Sequence, residues 1–300
     1  IFKMLPKTNC GECGVPTCLA FAMNLASGKA ELDACPYVSE EAKEKLAAES
    51  APPIRPLVVG AGDYAVKVGG ETVMFRHEKT FVNMPGLAAV VTTDDADASV
   101  AGKMERFKAC QYERVGLKLR AELFAVKDAN GDAAKFTALA KKIVDGCGAG
   151  LILMSDNADV LKAAVAELKD KKPLIYAATA ANADALGELA KGADCPLAVK
   201  GDGTLDSVIA LTEKLTGMGL KDLVIDTGTR NLKKAFEEQI LIRRAALKDR
   251  FRPLGFPTII LANEMGDDLI DESLVAATFI AKYGALIVLS DFQAQSLFPL

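Results

Sequence analysis

The residues with the clearest capacity for chemistry stand near the start of the chain, in NCGECGVPTC at positions 9 to 18, with the pair Cys35-Pro36 seventeen residues past its end. Of seven cysteines in 300 residues, four fall within twenty-six positions at the spacing Cys10-x2-Cys13-x4-Cys18-x16-Cys35. Four thiolates can hold one metal centre. Zinc and an iron–sulfur cluster both accept four sulfurs, but zinc ribbons pair two short Cys-x-x-Cys knuckles, whereas here the distant half contributes a single cysteine followed by proline. The spacing favours an iron–sulfur cluster over zinc, and both over ordinary buried cysteines. Gly11 and Gly14 let the backbone wrap closely around an inorganic core and turn N–H groups towards its sulfurs. Cys110, Cys147 and Cys195 are scattered and read as small buried hydrophobes without a chemical role.

Other candidates lie further along. His77, the only histidine, sits in FRHEKTF with no nucleophile motif or second metal-ligand histidine beside it, so a structural hydrogen-bonding role is expected. Gly60-Ala61-Gly62-Asp63-Tyr64-Ala65 follows an apolar run and superficially fits a dinucleotide fingerprint. That fingerprint needs its glycines to open a helix facing pyrophosphate, whereas Val66, Val68, Val73 and Phe75 around Gly69-Gly70 read as a β-hairpin that closes the barrel bottom or covers an edge.

The elements that must position these residues divide the chain in two. Residues 1 to 50 form a small unit, with AAESAPPIRP at 47 to 56 as a proline-rich linker. Leu19, Phe21, Ala22 and Leu25 suit a helix between Thr17 and Ala26 that Gly28 ends, and Ser39 with Glu40 and Glu41 suits the start of a second. Two short helices bury too little to offset about 1–2 kcal/mol of backbone ordering per residue, so an internal cross-link is expected, and the cysteines can supply it.

Residues 57 to 300 alternate short apolar runs with amphipathic helical windows. The runs are AAVV at 88, LRAELFAV at 119, GLILM at 150, LIYAA at 174, PLAV at 196, LVID at 223, TIILA at 258 and ALIVL at 285. In the window 202 to 216, Leu205, Val208, Ile209, Thr212 and Leu215 fall on one face. Such alternation predicts an α/β fold of parallel strands and helical crossovers, and about eight strands favour a (β/α)8 TIM-type barrel over an open doubly wound sheet. Chemistry in such a barrel belongs at the C-terminal strand ends, which here offer Ser155, Asp156 and Asn157; Asp226 and Thr227; Asn263 and Glu264; Ser290 and Asp291. They could hydrogen-bond a heterocycle such as a pterin, but Asp and Asn at such places routinely cap helices or order loops, and that reading is preferred for Asp156, Asn157, Asp226 and Asn263.

Composition limits the partners. Half of the residues are hydrophobic and the formal charge is −4 with both signs interspersed, which gives no concentrated positive field for nucleic acid. No apolar run approaches the ~20 residues that cross a bilayer, and the first residues are not those of a signal peptide. A cytoplasmic protein with no nucleic-acid or membrane partner is expected.

Residues 1 to 50 resemble the small iron–sulfur domain of the corrinoid iron–sulfur protein large subunit and of some electron-transport subunits. The resemblance implies a 4Fe-4S cluster on Cys10, Cys13, Cys18 and Cys35. GGETVMFRHEKTFVN, PLIYAAT and LVIDTGTRN are similar to segments of the same large subunit, which extends the resemblance over the whole chain. In that family a cobalt corrinoid carries a methyl group from methyltetrahydrofolate, through a methyltransferase, to the acetyl-CoA synthase of the CO dehydrogenase system in the reductive acetyl-CoA pathway. The cluster returns oxidised Co(II) to Co(I).

The resemblance further implies a heterodimer with a small subunit and a low-potential electron donor such as ferredoxin. The family carries its corrinoid on a domain C-terminal to the barrel, and the sequence stops at DFQAQSLFPL within the expected last helical unit, so with Ile1 at its start a fragment is expected rather than a shortened protein. Two other readings stand beside this one: a barrel methyltransferase that binds a methylated pterin, and an electron-transfer or scaffold subunit without corrinoid.

Overall fold

The computed structural model describes residues 1–26, 30, 32–39, 42, 52–75 and 82–300. His77 and the first half of the linker lie outside them. The chain divides into two compact units, Ile1–Pro52 and Pro53–Leu300.

In the first unit α1 spans Cys18–Ala26. Thr17 caps it, its Oγ1 accepting the Ala20 N–H at 3.1 Å, because a hydroxyl at that position satisfies an amide that the first turn leaves open. Cys18, Phe21 and Ala22 turn inward and join Leu5, Cys35, Val38 and Ala42 in one apolar cluster. The expected apolar face is narrower than the sequence suggests, since Leu19 is 54% exposed. Ser39 accepts the Ala42 N–H at 3.3 Å, and the rest of the second expected helix lies outside the described residues.

The second unit opens with a hairpin, β1 (Leu57–Val59) against β2 (Val66–Val68), with Leu57 opposite Val68 and Val59 opposite Val66. Gly60–Ala65 is therefore the hairpin loop, with a 3-10 turn at Gly62–Tyr64, and the pairing expected around Gly69-Gly70 is displaced by one strand. Two positions in the first half of that loop need left-handed backbone, which Gly60 and Gly62 adopt at φ 85° and 70°, while Val73 and Phe75 enter no strand. Leu57, Val59, Val66 and Val68 pack into the inner barrel layer. Val66 meets Gly86 and Gly60 meets Gly150, each the first residue of a barrel strand, so the hairpin plugs the N-terminal end of the barrel.

The following elements are β3 (Gly86–Thr92), α2 (Asp97–Ala109), a hairpin β4 (Gln111–Arg114) and β5 (Leu117–Arg120), β6 (Leu123–Lys127), α3 (Ala133–Cys147), β7 (Gly150–Met154), α4 (Ala158–Leu168) and β8 (Leu174–Ala178). Then come α5 (Ala183–Ala193), β9 (Leu197–Lys200), α6 (Leu205–Gly217), β10 (Leu223–Asp226), α7 (Leu232–Leu247), β11 (Thr258–Leu261), α8 (Leu269–Ala281), β12 (Gly284–Leu289) and α9 (Ala294–Leu297). Strands β3 and β6 to β12 pair in chain order and close into an eight-stranded parallel barrel.

One apolar run divides differently from the expectation. In LRAELFAV the barrel strand starts only at Leu123, because Leu119 and Arg120 belong to β5, which pairs with β4 across a Val115-Gly116 turn. The barrel strands are buried on both faces, so their runs are continuous rather than alternating. Ala88, Leu123, Ala125, Ile152, Ala198 and Val224 fill the lumen, while their neighbours Ala89, Phe124, Leu151, Val199 and Ile225 meet the helices. Among the described residues no helix is long and apolar enough to cross a membrane.

Candidate iron–sulfur site and the barrel mouth

The cysteine loop is curled by left-handed residues at Lys7, Asn9, Gly11 and Gly14, with φ between 49° and 81°. Gly14 N–H closes a tight turn on Gly11 C=O at 3.0 Å, and no atom lies where a Cβ of either glycine would point. Asn9 fixes the entry to α1 by accepting the Cys18 N–H on Oδ1 at 2.8 Å, and its own N–H points at Cys18 Sγ, 3.4 Å away. Cys18 and Cys35 are buried, Cys13 is partly buried against the same apolar cluster, and Cys10 is exposed.

Tyr37 ties the loop to the Cys35 segment by donating to Glu12 Oε1 at 2.9 Å. That bond and the Glu12 charge raise the phenol above its ordinary range, and Cys10 and Cys35 push the same way, so both sulfurs lie within electrostatic reach of one ring. Among the described residues no group of three or more His, Cys, Asp or Glu side chains is drawn together tightly enough to hold a metal ion. The donor set nevertheless fits a cluster. Three thiols share one apolar cluster, the fourth lies at the surface beside Tyr37, and the loop that carries Cys10 and Cys13 turns through left-handed glycines with no atom packed against them.

The barrel mouth is a different kind of site. Asp226, the last residue of β10, is 3% exposed and binds Arg230 through both oxygens, Nη1 to Oδ1 at 3.1 Å and Nη2 to Oδ2 at 2.9 Å. Tyr176 of β8 donates to Asp226 Oδ2 at 2.5 Å, and the Gly228 N–H donates to Oδ1 at 2.8 Å. Arg230 Nε reaches Glu264 Oε2 at 2.7 Å, and Lys127, from the end of β6, approaches the other oxygen at 3.3 Å.

Burial lowers Arg230, but the hydrogen bonds and charge of Asp226 outweigh it and raise the guanidinium above its ordinary value. Burial raises Glu264, yet Arg230 and Lys127 together hold it below the ordinary carboxylate range. Burial first, and the Asp226 charge second, push the Tyr176 phenol well up. All five groups are thus engaged with one another, as ion pairs, hydrogen bonds or both.

The other strand-end residues scatter. Ser155 Oγ donates to Asp128 at 2.8 Å, Asn157 caps α4, Asp156 is exposed, and the Ser290 N–H donates to Glu272 at 2.6 Å. Asp291 pairs with Arg106 at 2.9 Å. Capping therefore holds for Asn157, whereas Asp226 orders its own loop through Gly228 and in addition anchors the ion-pair network. Sequence reasoning missed Tyr176, which is concealed in an apolar strand, and Arg230, whose signal was its position four residues after Asp226 in LVIDTGTRN.

A closed parallel barrel that follows a four-cysteine unit in the chain defines a class of protein: a TIM-type barrel joined to a candidate cluster-binding module. Residues 56–300 match the family described as CO dehydrogenase/acetyl-CoA synthase delta subunit, and residues 5–37, which contain all four clustered cysteines, match the family described as "Putative Fe-S cluster". The chain belongs to the CO dehydrogenase/acetyl-CoA synthase delta subunit family.

It is 44% identical over 300 residues to the corrinoid/iron-sulfur protein large subunit of Moorella thermoacetica, covering 100% of this chain and 67% of that protein. Over 311 residues it is 32% identical to the acetyl-CoA decarbonylase/synthase complex subunit gamma of Methanopyrus kandleri, covering 100% and 66%. It thus spans about two thirds of the length of these relatives. Among solved structures, the dihydropteroate synthase of Thermus thermophilus superposes with a TM-score of 0.53 at 12% identity, covering 81% of this chain and 98% of that one, a likeness of fold.

Proposed function

We propose that this chain is the cluster-bearing subunit of a corrinoid iron–sulfur methyl carrier in acetyl-CoA synthesis. The observation that carries the reading is the similarity along the whole chain to a corrinoid/iron-sulfur protein large subunit, with Cys10, Cys13, Cys18 and Cys35 all inside the iron–sulfur match. In this reading the four thiolates hold a 4Fe-4S cluster. When bound, the cluster supplies single low-potential electrons, and a cobalt corrinoid held outside these residues supplies the metal that carries the methyl group.

The chain's own residues divide the work of holding and exposing. Cys18 and Cys35 anchor from the apolar side, where low polarity disfavours added negative charge, and Asn9 orients Cys18 through the N–H directed at its sulfur. Cys10 at the surface gives an electron donor its shortest approach. The expected partners are a small subunit in a heterodimer, a methyltetrahydrofolate methyltransferase, the acetyl-CoA synthase and a ferredoxin-like donor. The barrel serves as the scaffold on which they assemble.

Metal analysis of anaerobically reconstituted protein tests the centre. About four iron and four sulfide per chain, with a broad brown absorption that bleaches on reduction, is the expected result. Stoichiometric zinc without sulfide would overturn it. A Cys10→Ser variant with unchanged iron, sulfide and spectrum would remove Cys10 from the ligand set.

A further inference from the structure

We propose that the barrel mouth carries a site for a small oxyanion that also bears an N–H or O–H donor, built on Lys200, Thr229 and Asn263. Lys200 ends β9, and Thr229 and Asn263 follow β10 and β11 by three and two residues, on neighbouring staves of the barrel. Ligands in barrels of this type gather at that end.

Each of the three has unmet bonding capacity. Lys200 stands beside Asp226 in the strand register, and it lies two residues beyond Ala198, whose side chain is in the lumen, so strand alternation turns Lys200 to the same side. It is partly buried, and among the described residues its side chain forms no ion pair or hydrogen bond. Thr229 is 8% exposed and its Oγ1 is shielded from solvent without a partner. Asn263 Oδ1 is likewise shielded and accepts nothing. A buried polar atom without a partner costs on the order of 1–3 kcal/mol, which is why native structures leave few of them.

Their chemistry specifies the occupant. An ammonium only donates and carries a full charge, so Lys200 takes an oxyanion. A carboxamide oxygen only accepts, so Asn263 takes an N–H or O–H, and the Thr229 hydroxyl can serve either side. The charge balance agrees: Lys127, Lys200 and Arg230 face Asp226 and Glu264, and the four groups other than Lys200 are already paired. Among the described residues of the mouth, one cation is left for a ligand. Arg230, clamped between Asp226 and Glu264, forms a rigid floor beside it rather than a second binding group.

Calorimetric titration of the full chain tests this, with lactate and inorganic phosphate as probes and acetate as the oxyanion that lacks a donor. Saturable binding of lactate or phosphate is expected, and whichever binds more tightly identifies the source of the oxyanion. Lys200→Ala should weaken it at least tenfold while circular dichroism stays unchanged, and Lys200→Gln replaces it if that variant unfolds. Asn263→Ala should reduce lactate to the affinity of acetate. Absence of saturable heat with both probes, undiminished binding by the lysine variants, or equal binding of acetate and lactate by the unaltered chain would overturn the proposal.

Discussion

The two units of this chain solve the problem of a core in opposite ways. The barrel encloses two nested apolar layers and caps its helices with its own side chains, as Asp132 does for α3 and Asp268 for α8. In the N-terminal unit the fully buried cluster is Leu5, Cys18, Phe21, Ala22, Cys35, Val38 and Ala42, so two of its seven described members are candidate metal ligands. A segment of this size buries too little apolar surface to fold alone, and structural metals are a usual remedy. The difference teaches that in the small unit two of the four candidate ligands, Cys18 and Cys35, are also core residues, whereas in the barrel the polar groups of the mouth lie outside the two apolar layers.

The strongest way to break that comparison is Cys35→Ala. Metal binding in such a unit is folding free energy, so the variant should lose the cluster and expose residues 1 to 50 to protease, with cleavage accelerated more than ~10-fold. The barrel should keep its helical circular dichroism and its unfolding midpoint. Collapse of both units together would show that the barrel core is not self-sufficient.

A smaller effect is expected inside the barrel from Asp226→Ala. The substitution leaves Arg230 partly buried with one of its two carboxylates and strips Tyr176 of its acceptor. Removing one partner of a buried ion pair costs about 3–5 kcal/mol, which urea unfolding would read directly. A cost below ~1 kcal/mol would mean that water replaces the carboxylate and that the mouth is open rather than locked.

Legibility followed the same division. The barrel strands were readable because parallel strands buried on both faces are continuous apolar runs, and GLILM and LIYAA coincide with β7 and β8. The hairpins were less readable. Left-handed glycines at Gly60, Gly62, Gly69 and Gly70 mark several adjacent turns, and only packing against Gly86 and Gly150 decides which of them reverses the chain. The four clustered cysteines stood out by spacing alone, but their exposure did not, because it depends on how the loop curls. The mouth network was unreadable as a network, since Tyr176 lies inside an apolar strand and Glu264 thirty-four positions from Arg230.

A third test concerns Glu122, which lies just before β6 and accepts the Leu87 N–H at 3.4 Å. Burial pushes this carboxyl from 4.5 up to about 7, against the opposing pull of that hydrogen bond and of Arg120. The folded chain therefore retains a proton that the unfolded chain releases. By linkage, stability should fall as pH rises from about 4.5 to about 7, by about 3 kcal/mol in all, and level off above. Glu122→Gln should flatten that slope. A variant with the slope unchanged would assign it elsewhere, and a gain of stability with rising pH would reverse the sign argued here.

The smallest effect sharpens the contrast between two strand-end residues that look alike in sequence. Asn157 follows β7 and Asp226 ends β10, and capping a helix or ordering a loop was the expectation for both. Asn157 performs it: its Oδ1 accepts the Asp159 N–H at 2.9 Å at the start of α4, on an exposed side chain. Loss of such a cap costs about 0.5–2 kcal/mol when alanine replaces it and only a few tenths when glycine does, because glycine readily adopts the N-cap backbone and leaves the amide open to water. Asn157→Ala should therefore cost a small fraction of what Asp226→Ala does, with Asn157→Gly recovering most of it. Asp226→Gly should recover nothing, since what it loses is charge facing a partly buried guanidinium. Urea midpoints of the four variants decide the matter. If glycine rescued both positions equally, Asp226 would act only by ordering its loop, as Asn157 acts only by capping its helix, and the ion-pair lock at the barrel mouth would have no energetic content.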